Sequence, residues 1–344
     1  MTKGCNTALV TPFSEGGLDI AGLEKLVEFQ IAGGVDGILA VGTTGESPTL
    51  SWEEHLQVIK IVADKTKGKV KCIAGTGSNN TKETLEATKH AAKAGVDAVL
   101  LVDPYYNGPS SLEIRREYLT PTAKAFPGLE IIPYVIPGRT GAQLFPEDLA
   151  LLYKECPNVK TVKEATGDLD NMRKTRKLCG PDYTIMSGDD DMTLQMMLDP
   201  DIQASGVISV LSNVAPKAVS QMVGAAAAGD ADLARNIGAA LKPLFGLVVI
   251  KTTEESPVGP VMCRARNPLG VKTLMAALGM PCGSCRPPLG KMSKQGLDVV
   301  VNAAKAVLKD NPEILAPAAE FFNLDFEQRL NDPDVLKDLA YDSY

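Results

Sequence analysis

Two segments about sixty residues apart, "AGGVDGILAVG" (32–42) and "AKAGVDAVLLVD" (92–103), nearly repeat, and they constrain the fold more than any other feature of the chain. Each has a glycine suited to ending a helix, then a run apolar on both faces, as expected of a parallel strand covered by helices. "KVKCIAGTG" (69–77) is a third such run midway between them. The spacing is therefore two βα units of roughly thirty residues each. Further runs at "TALVTPF" (7–13), "EIIPYVIP" (130–137), "VKTVKEA" (159–165), "YTIMSG" (183–188) and "ASGVISVL" (204–211) bring the total to eight. Helix-period stretches lie between them, among them "DIAGLEKLVEFQIA" (19–32), "SWEEHLQVIKIVADKT" (51–66) and "NTKETLEATKHAAKA" (80–94). "SWEE" carries the capping-box pattern that opens a helix.

Eight alternations predict an α/β fold, a (β/α)8 TIM barrel, within residues 1–228. A doubly wound sheet is the rival, but no G-x-G-x-x-G follows the first strand. After residue 228 the pattern reads as purely helical: a C-terminal helical region over 229–311, then an acidic tail of unknown role over 312–344.

Net charge is -7 with pI near 5.1, which argues against nucleic acid or an anionic membrane as the main partner, because both need clustered positive charge. No run approaches the roughly 18 apolar residues of a spanning helix, and the start lacks a signal-peptide core. The expectation is a cytoplasmic protein. Seven scattered cysteines then read as free thiols. "CGSC" (282–285) lacks a second pair or nearby histidine to complete a zinc site.

In "NVKTVKEATGDLD" (158–170) two lysines interrupt a short buried strand. Lys160 lies near the start, where it reaches water. Lys163 lies near the far end, on the same alternating face as Val159 and Thr161. In a TIM barrel the chemistry sits at the C-terminal ends of the strands. An ammonium ringed by barrel-wall side chains loses hydration, so its pKa falls and it becomes a nucleophile. A Schiff-base lysine, a buried structural ion pair and a misread strand all remain open from this segment alone.

Other strand ends add polar groups. "VGTTGES" supplies the Thr43 and Thr44 hydroxyls and a glycine-flanked turn able to hold a carboxylate. "DPYYNGPS" supplies Tyr105 and Tyr106; "YVIPGRTG" supplies Tyr134 and Arg139. An amine to condense with a ketone, hydroxyls to relay protons and an arginine fork for a carboxylate suit carbonyl chemistry. Metal-dependent aldol chemistry is the competitor, yet with only His55 and His90 in the chain a histidine-rich metal site is hard to build. No metal and no cofactor are expected. "SGDDDM" after the seventh strand would repel a phosphate, so the substrate reads as unphosphorylated and carboxylate-bearing.

"GTTGES", "DPYYNGPS", "YVIPGRTG", "VKEATGDL", "SGDD", "GVISV" and "RPPLGKMS", in this order from about residue 4 to 308, resemble the dihydrodipicolinate synthase group of the N-acetylneuraminate lyase superfamily. The resemblance implies a class I aldolase-type lyase. Lys163 would condense with pyruvate, and the enamine would attack L-aspartate 4-semialdehyde to give 4-hydroxy-tetrahydrodipicolinate, on the route to diaminopimelate and lysine. It further implies a proton relay of Tyr134, Thr44 and Tyr106, with Tyr106 supplied by a neighbouring subunit of a homotetramer. Thr43 and Thr44 would hold the pyruvate carboxylate, Gly188 and Ile208 would line the pocket, and Arg139 would take the carboxylate of the semialdehyde. The sialic-acid and keto-deoxy-sugar relatives, the nearest alternative reading, lack an arginine at that point.

The same resemblance implies an L-lysine feedback site at Ser47, Pro48, Trp52, His55, Asn79, Glu83 and Tyr105. The alternative is that Trp52 merely caps a helix and fills an interface. Three departures stand out: Val135 where the family often has asparagine, a long "EESPVGPVMCRARNPLGVK" (254–272), and an extra tail beyond about residue 310. A non-catalytic barrel acting as a scaffold through its tail is the reading from another class.

Overall fold

The computed structural model describes all 344 residues. Eight parallel strands close into a barrel: β1 (Gly4–Ala8), β2 (Gly37–Ala40), β3 (Lys71–Gly75), β4 (Ala98–Val102), β5 (Glu130–Val135), β6 (Thr161–Glu164), β7 (Thr184–Ser187) and β8 (Gly206–Ser209). β1 pairs with both β2 and β8, which removes every open edge. Seven of the eight runs hold the strand they predict. The first lies earlier than "TALVTPF" suggests, because Gly4–Thr7 pair with Gly206–Ser209 and the chain then turns away. There the Val10 N–H donates to Asn213 Oδ1 at 3.0 Å and the Thr11 hydroxyl to the Gly45 carbonyl at 2.7 Å.

The helices start where their caps say. Asp19 caps α1 (Ile20–Ala32), Asn80 caps α3 (Thr81–Ala94), and Ser51 with Glu54 forms the full capping box of α2 (Trp52–Thr66). Helices α4 (Pro146–Glu155), α5 (Leu169–Cys179) and α6 (Pro216–Ala227) cover more of the outer face. Strand side chains alternate between two cores. A small one inside the barrel includes Leu39, Ile73, Leu100, Ile132, Met186 and Ile208; the larger one lies between strands and helices. At the N-terminal end, Glu130 accepts from the Thr2 N–H at 2.9 Å, Thr161 Oγ1 at 2.6 Å and Lys71 Nζ at 2.9 Å, so the lysine there is paired.

The region after 228 is not purely helical. Between α7 (Ala231–Phe245) and α8 (Leu269–Leu278) it forms an antiparallel hairpin of β9 (Val249–Ser256) and β10 (Gly259–Arg266). The long 254–272 segment is thus mostly hairpin. Its cue is the alternation after Gly246: Ile250 and Glu254 are buried while Lys251, Thr253 and Glu255 are exposed. Beyond α9 (Lys294–Asp310), the tail packs back on the molecule. Phe321 and Phe322 lie 5.2 and 5.0 Å from the Phe29 ring of α1, and Arg329 donates to the Ala276 and Ala277 carbonyls at the end of α8. No helix is long and apolar enough to cross a membrane.

Candidate active site

Lys163 sits on β6, opposite Tyr134 of β5 in the parallel register, with its side chain inside the mouth of the barrel. It is buried, and no carboxylate stands within ion-pair distance of its Nζ, which instead lies 4.3 Å from the centre of the Tyr134 ring. Burial pulls its pKa down to about 8, the Asp189 and Asp190 carboxylates pull it up, and Arg139 pulls it down further. Glu164, the adjacent carboxylate, points to the outer layer, where it accepts from the Thr166 N–H at 2.7 Å and Asn171 Nδ2 at 3.1 Å. Gly188 keeps the lysine stem free: a Cβ there would stand 2.8 Å from Ala165 Cβ and 3.1 Å from Lys163 Cε. Ile208 belongs to the same inner cluster as Tyr134.

Tyr134 is buried, which raises its phenol pKa, while the Arg139 charge and a bond with the Thr43 side chain oppose that rise. Thr43, rather than the Thr44 expected in the relay, is the threonine that lines the cavity with Tyr134. The Thr44 Oγ1 accepts from Asn267 Nδ2 at 3.0 Å. Arg139 lines the same cavity and donates to the Asn267 main-chain carbonyl at 3.1 Å.

The threonine turn is held from behind by groups that sequence reasoning missed. Glu46, in "GTTGES", has a left-handed φ of 56° and is fully buried. Its Oε1 meets Lys272 Nζ at 2.6 Å and its Oε2 accepts from the Arg286 N–H at 2.9 Å. Arg286 then grips Glu54 through both carboxylate oxygens, at 2.7 and 2.6 Å, and this bond draws the Glu54 pKa down to about 2. Both cations come from motifs the sequence displays, N-P-x-x-V-K and "RPPLG", but their partners lie more than two hundred residues away in the chain. Asp190 was likewise unassigned; burial raises it to about 6, and it accepts from Ser209 Oγ and from the Val210 N–H at 2.9 Å.

The cavity, about 400 Å³, runs from Tyr134 and Arg139 past Thr43 to Ser47, Pro48, Trp52, His55, Glu83 and Tyr105. Trp52 packs edge-on to His55 with ring centres 5.5 Å apart, and Ser78 Oγ donates to Glu83 Oε2 at 2.6 Å. Burial lowers the His55 pKa to about 4, and burial beside Glu83 raises that of Tyr105. Two sequence-predicted residues stand apart. Asn79 is exposed outside the cavity, and Tyr106, 89% exposed with φ at 80°, does not line it either.

The model of the dihydrodipicolinate synthetase family matches residues 1–307. The 4-hydroxy-tetrahydrodipicolinate synthase of Geotalea daltonii is 41% identical over 305 residues, covering 89% of this chain and 98% of that protein. Among solved structures, dihydrodipicolinate synthase from Aquifex aeolicus is 38% identical with a TM-score of 0.81, covering 91% of this chain and 99% of that one. The DHDPS from Cyanidioschyzon merolae with lysine bound is 34% identical with a TM-score of 0.80, covering 89% and 98%. The barrel, its order of motifs and these similarities agree: the chain belongs to the dihydrodipicolinate synthetase family.

Proposed function

We propose that the protein is a 4-hydroxy-tetrahydrodipicolinate synthase, a Schiff-base lyase that condenses pyruvate with L-aspartate 4-semialdehyde. The observation that carries this reading is the Lys163 amine: buried, unpaired, lowered to about 8 and 4.3 Å from the centre of the Tyr134 ring, which lines the cavity together with Arg139. A fraction of such an amine is neutral near pH 7, as nucleophilic attack on a ketone requires.

Lys163 Nζ attacks C2 of pyruvate, water leaves, and the imine forms. Loss of a C3 proton gives the enamine, whose C3 bonds to the aldehyde carbon of the semialdehyde. The amino group of the semialdehyde then attacks the imine carbon, closes the ring and frees Lys163. Each transfer needs a proton donor beside Nζ. Tyr134 is that donor, with Thr43 as its hydroxyl neighbour and Tyr106 of a second subunit completing the relay. The exposed, left-handed Tyr106 supports sharing between subunits in a homotetramer. Thr43 and Thr44 bind the pyruvate carboxylate, Gly188 and Ile208 border the pocket, and Arg139 offers a planar fork to the semialdehyde carboxylate.

Ser47, Pro48, Trp52, His55, Glu83 and Tyr105, with Asn79 contributed across an interface, form a site for L-lysine as feedback inhibitor, in the cytoplasm where the pathway runs. The carboxylate of Glu83 and the face of Trp52 suit an ammonium. The test is a coupled assay with pyruvate and aspartate semialdehyde, alongside borohydride reduction in pyruvate. Wild type should turn over and carry a trapped adduct on Lys163; Lys163→Ala should lose both, by at least a thousandfold in kcat on the order expected for removing a covalent nucleophile. A trapped wild type that cleaves N-acetylneuraminate instead would move the protein to a sibling activity.

A further inference from the structure

Asn267 joins the two parts of the site that bind different carboxylates, and it does so with different atoms. Its side-chain Nδ2 donates to Thr44 Oγ1 at 3.0 Å, and its main-chain carbonyl accepts from Arg139 at 3.1 Å. The residue is buried, its own N–H is anchored to the Val248 carbonyl at 2.9 Å, and it directly follows β10. The neighbouring Arg266 donates twice to the Gly138 carbonyl at 3.1 Å, so this segment also grips the loop that carries Arg139.

A threonine hydroxyl has one proton to give and two lone pairs to offer. When the Asn267 amide fills one lone pair, the Thr44 proton is directed elsewhere, toward an acceptor on its other side. Within the proposed function, on which this inference rests, that acceptor is the pyruvate carboxylate. We propose that Asn267 is a positioning residue for both substrates: its side chain makes Thr44 a donor to pyruvate, and its carbonyl sets Arg139 for the semialdehyde. The division between side chain and main chain makes the two effects separable by mutation. The hairpin that departs from the family pattern ends at this residue, so its anchoring bears on pocket geometry.

Asn267→Ala removes only the side-chain half. Losing one bond to a group that contacts an anion should raise KM for pyruvate, and the pyruvate concentration for half-maximal borohydride trapping, roughly three- to tenfold. KM for the semialdehyde and kcat should stay within about twofold, because the carbonyl that holds Arg139 remains. Asn267→Asp conserves volume but cannot donate; it draws the Thr44 proton toward itself and places a like charge near the carboxylate. Its pyruvate KM should rise further than that of the alanine variant. This second variant gives the answer if the alanine variant does not fold.

Unchanged pyruvate KM in either folded variant overturns the proposal. So does a proportional rise in both KM values with a fallen melting temperature, which marks a purely structural role. Wild-type protein that neither traps pyruvate nor turns over would instead sink the functional reading itself.

Discussion

At the scale of single residues, the contrast among buried lysines separates structure from chemistry. Lys272 has a carboxylate at 2.6 Å, whereas Lys163 has only an aromatic face, 4.3 Å from its Nζ. The paired carboxylate offsets the lost hydration of Lys272; for Lys163 the loss appears as a lowered pKa. Asp189 is the largest opposing influence, so Asp189→Asn should lower that pKa below about 8. Imine formation requires the neutral amine and therefore rises with pH through the lysine pKa. The acid limb of the trapping rate against pH should move to lower pH in the variant; a limb that stays or moves upward would refute the assignment. That Lys163 and Glu164 take opposite faces of the strand was legible from alternation alone. Which of two adjacent threonines meets Tyr134 was not, because turn residues follow no fixed alternation.

At the scale of elements, the turn after β2 holds its shape through contacts made by the C-terminal region. Left-handed φ values at Val41 and Glu46 cost on the order of 1–3 kcal/mol each and persist where surroundings over-determine them. Here the Glu46–Lys272 pair and the Arg286 contacts to Glu46 and Glu54 do so. A Cβ at Gly75 would stand 2.5 Å from the Val41 carbonyl oxygen, so the neighbouring strand also leaves room for that turn. Lys272→Met removes one partner of a fully buried pair and leaves Glu46 with a single main-chain donor. Its unfolding free energy in urea should fall by about 3–5 kcal/mol. A loss under about 1 kcal/mol would mean that water or Arg286 replaces the lysine. Helix starts were readable because caps are local; the β9–β10 hairpin was not anticipated, since its apolar run follows a helix without a break in hydrophobicity.

At the scale of the whole molecule, one cavity connects the barrel mouth to the Trp52 and Glu83 end, so a ligand at either end shares walls with the other. L-lysine seated against Trp52 should change the emission of this only tryptophan and lower kcat over the same concentration range. Fluorescence unchanged at millimolar lysine, with activity unaffected, would remove the regulatory reading. The tail beyond the family match closes over α1 and α8 rather than hanging free, with Phe322, Phe326 and Leu330 buried.

The sequence by itself determined the eightfold βα alternation, the opposite faces of Lys163 and Glu164, and the motif order, because periodicity and capping act over a few residues. Only the tertiary structure decided that Lys163 lacks a carboxylate, that Thr43 faces Tyr134, and that Asn267, Lys272 and Arg286 brace the active-site turns. The bracing contacts span more than two hundred residues, and no local pattern encodes which distant charge or amide a closed barrel brings to a given turn.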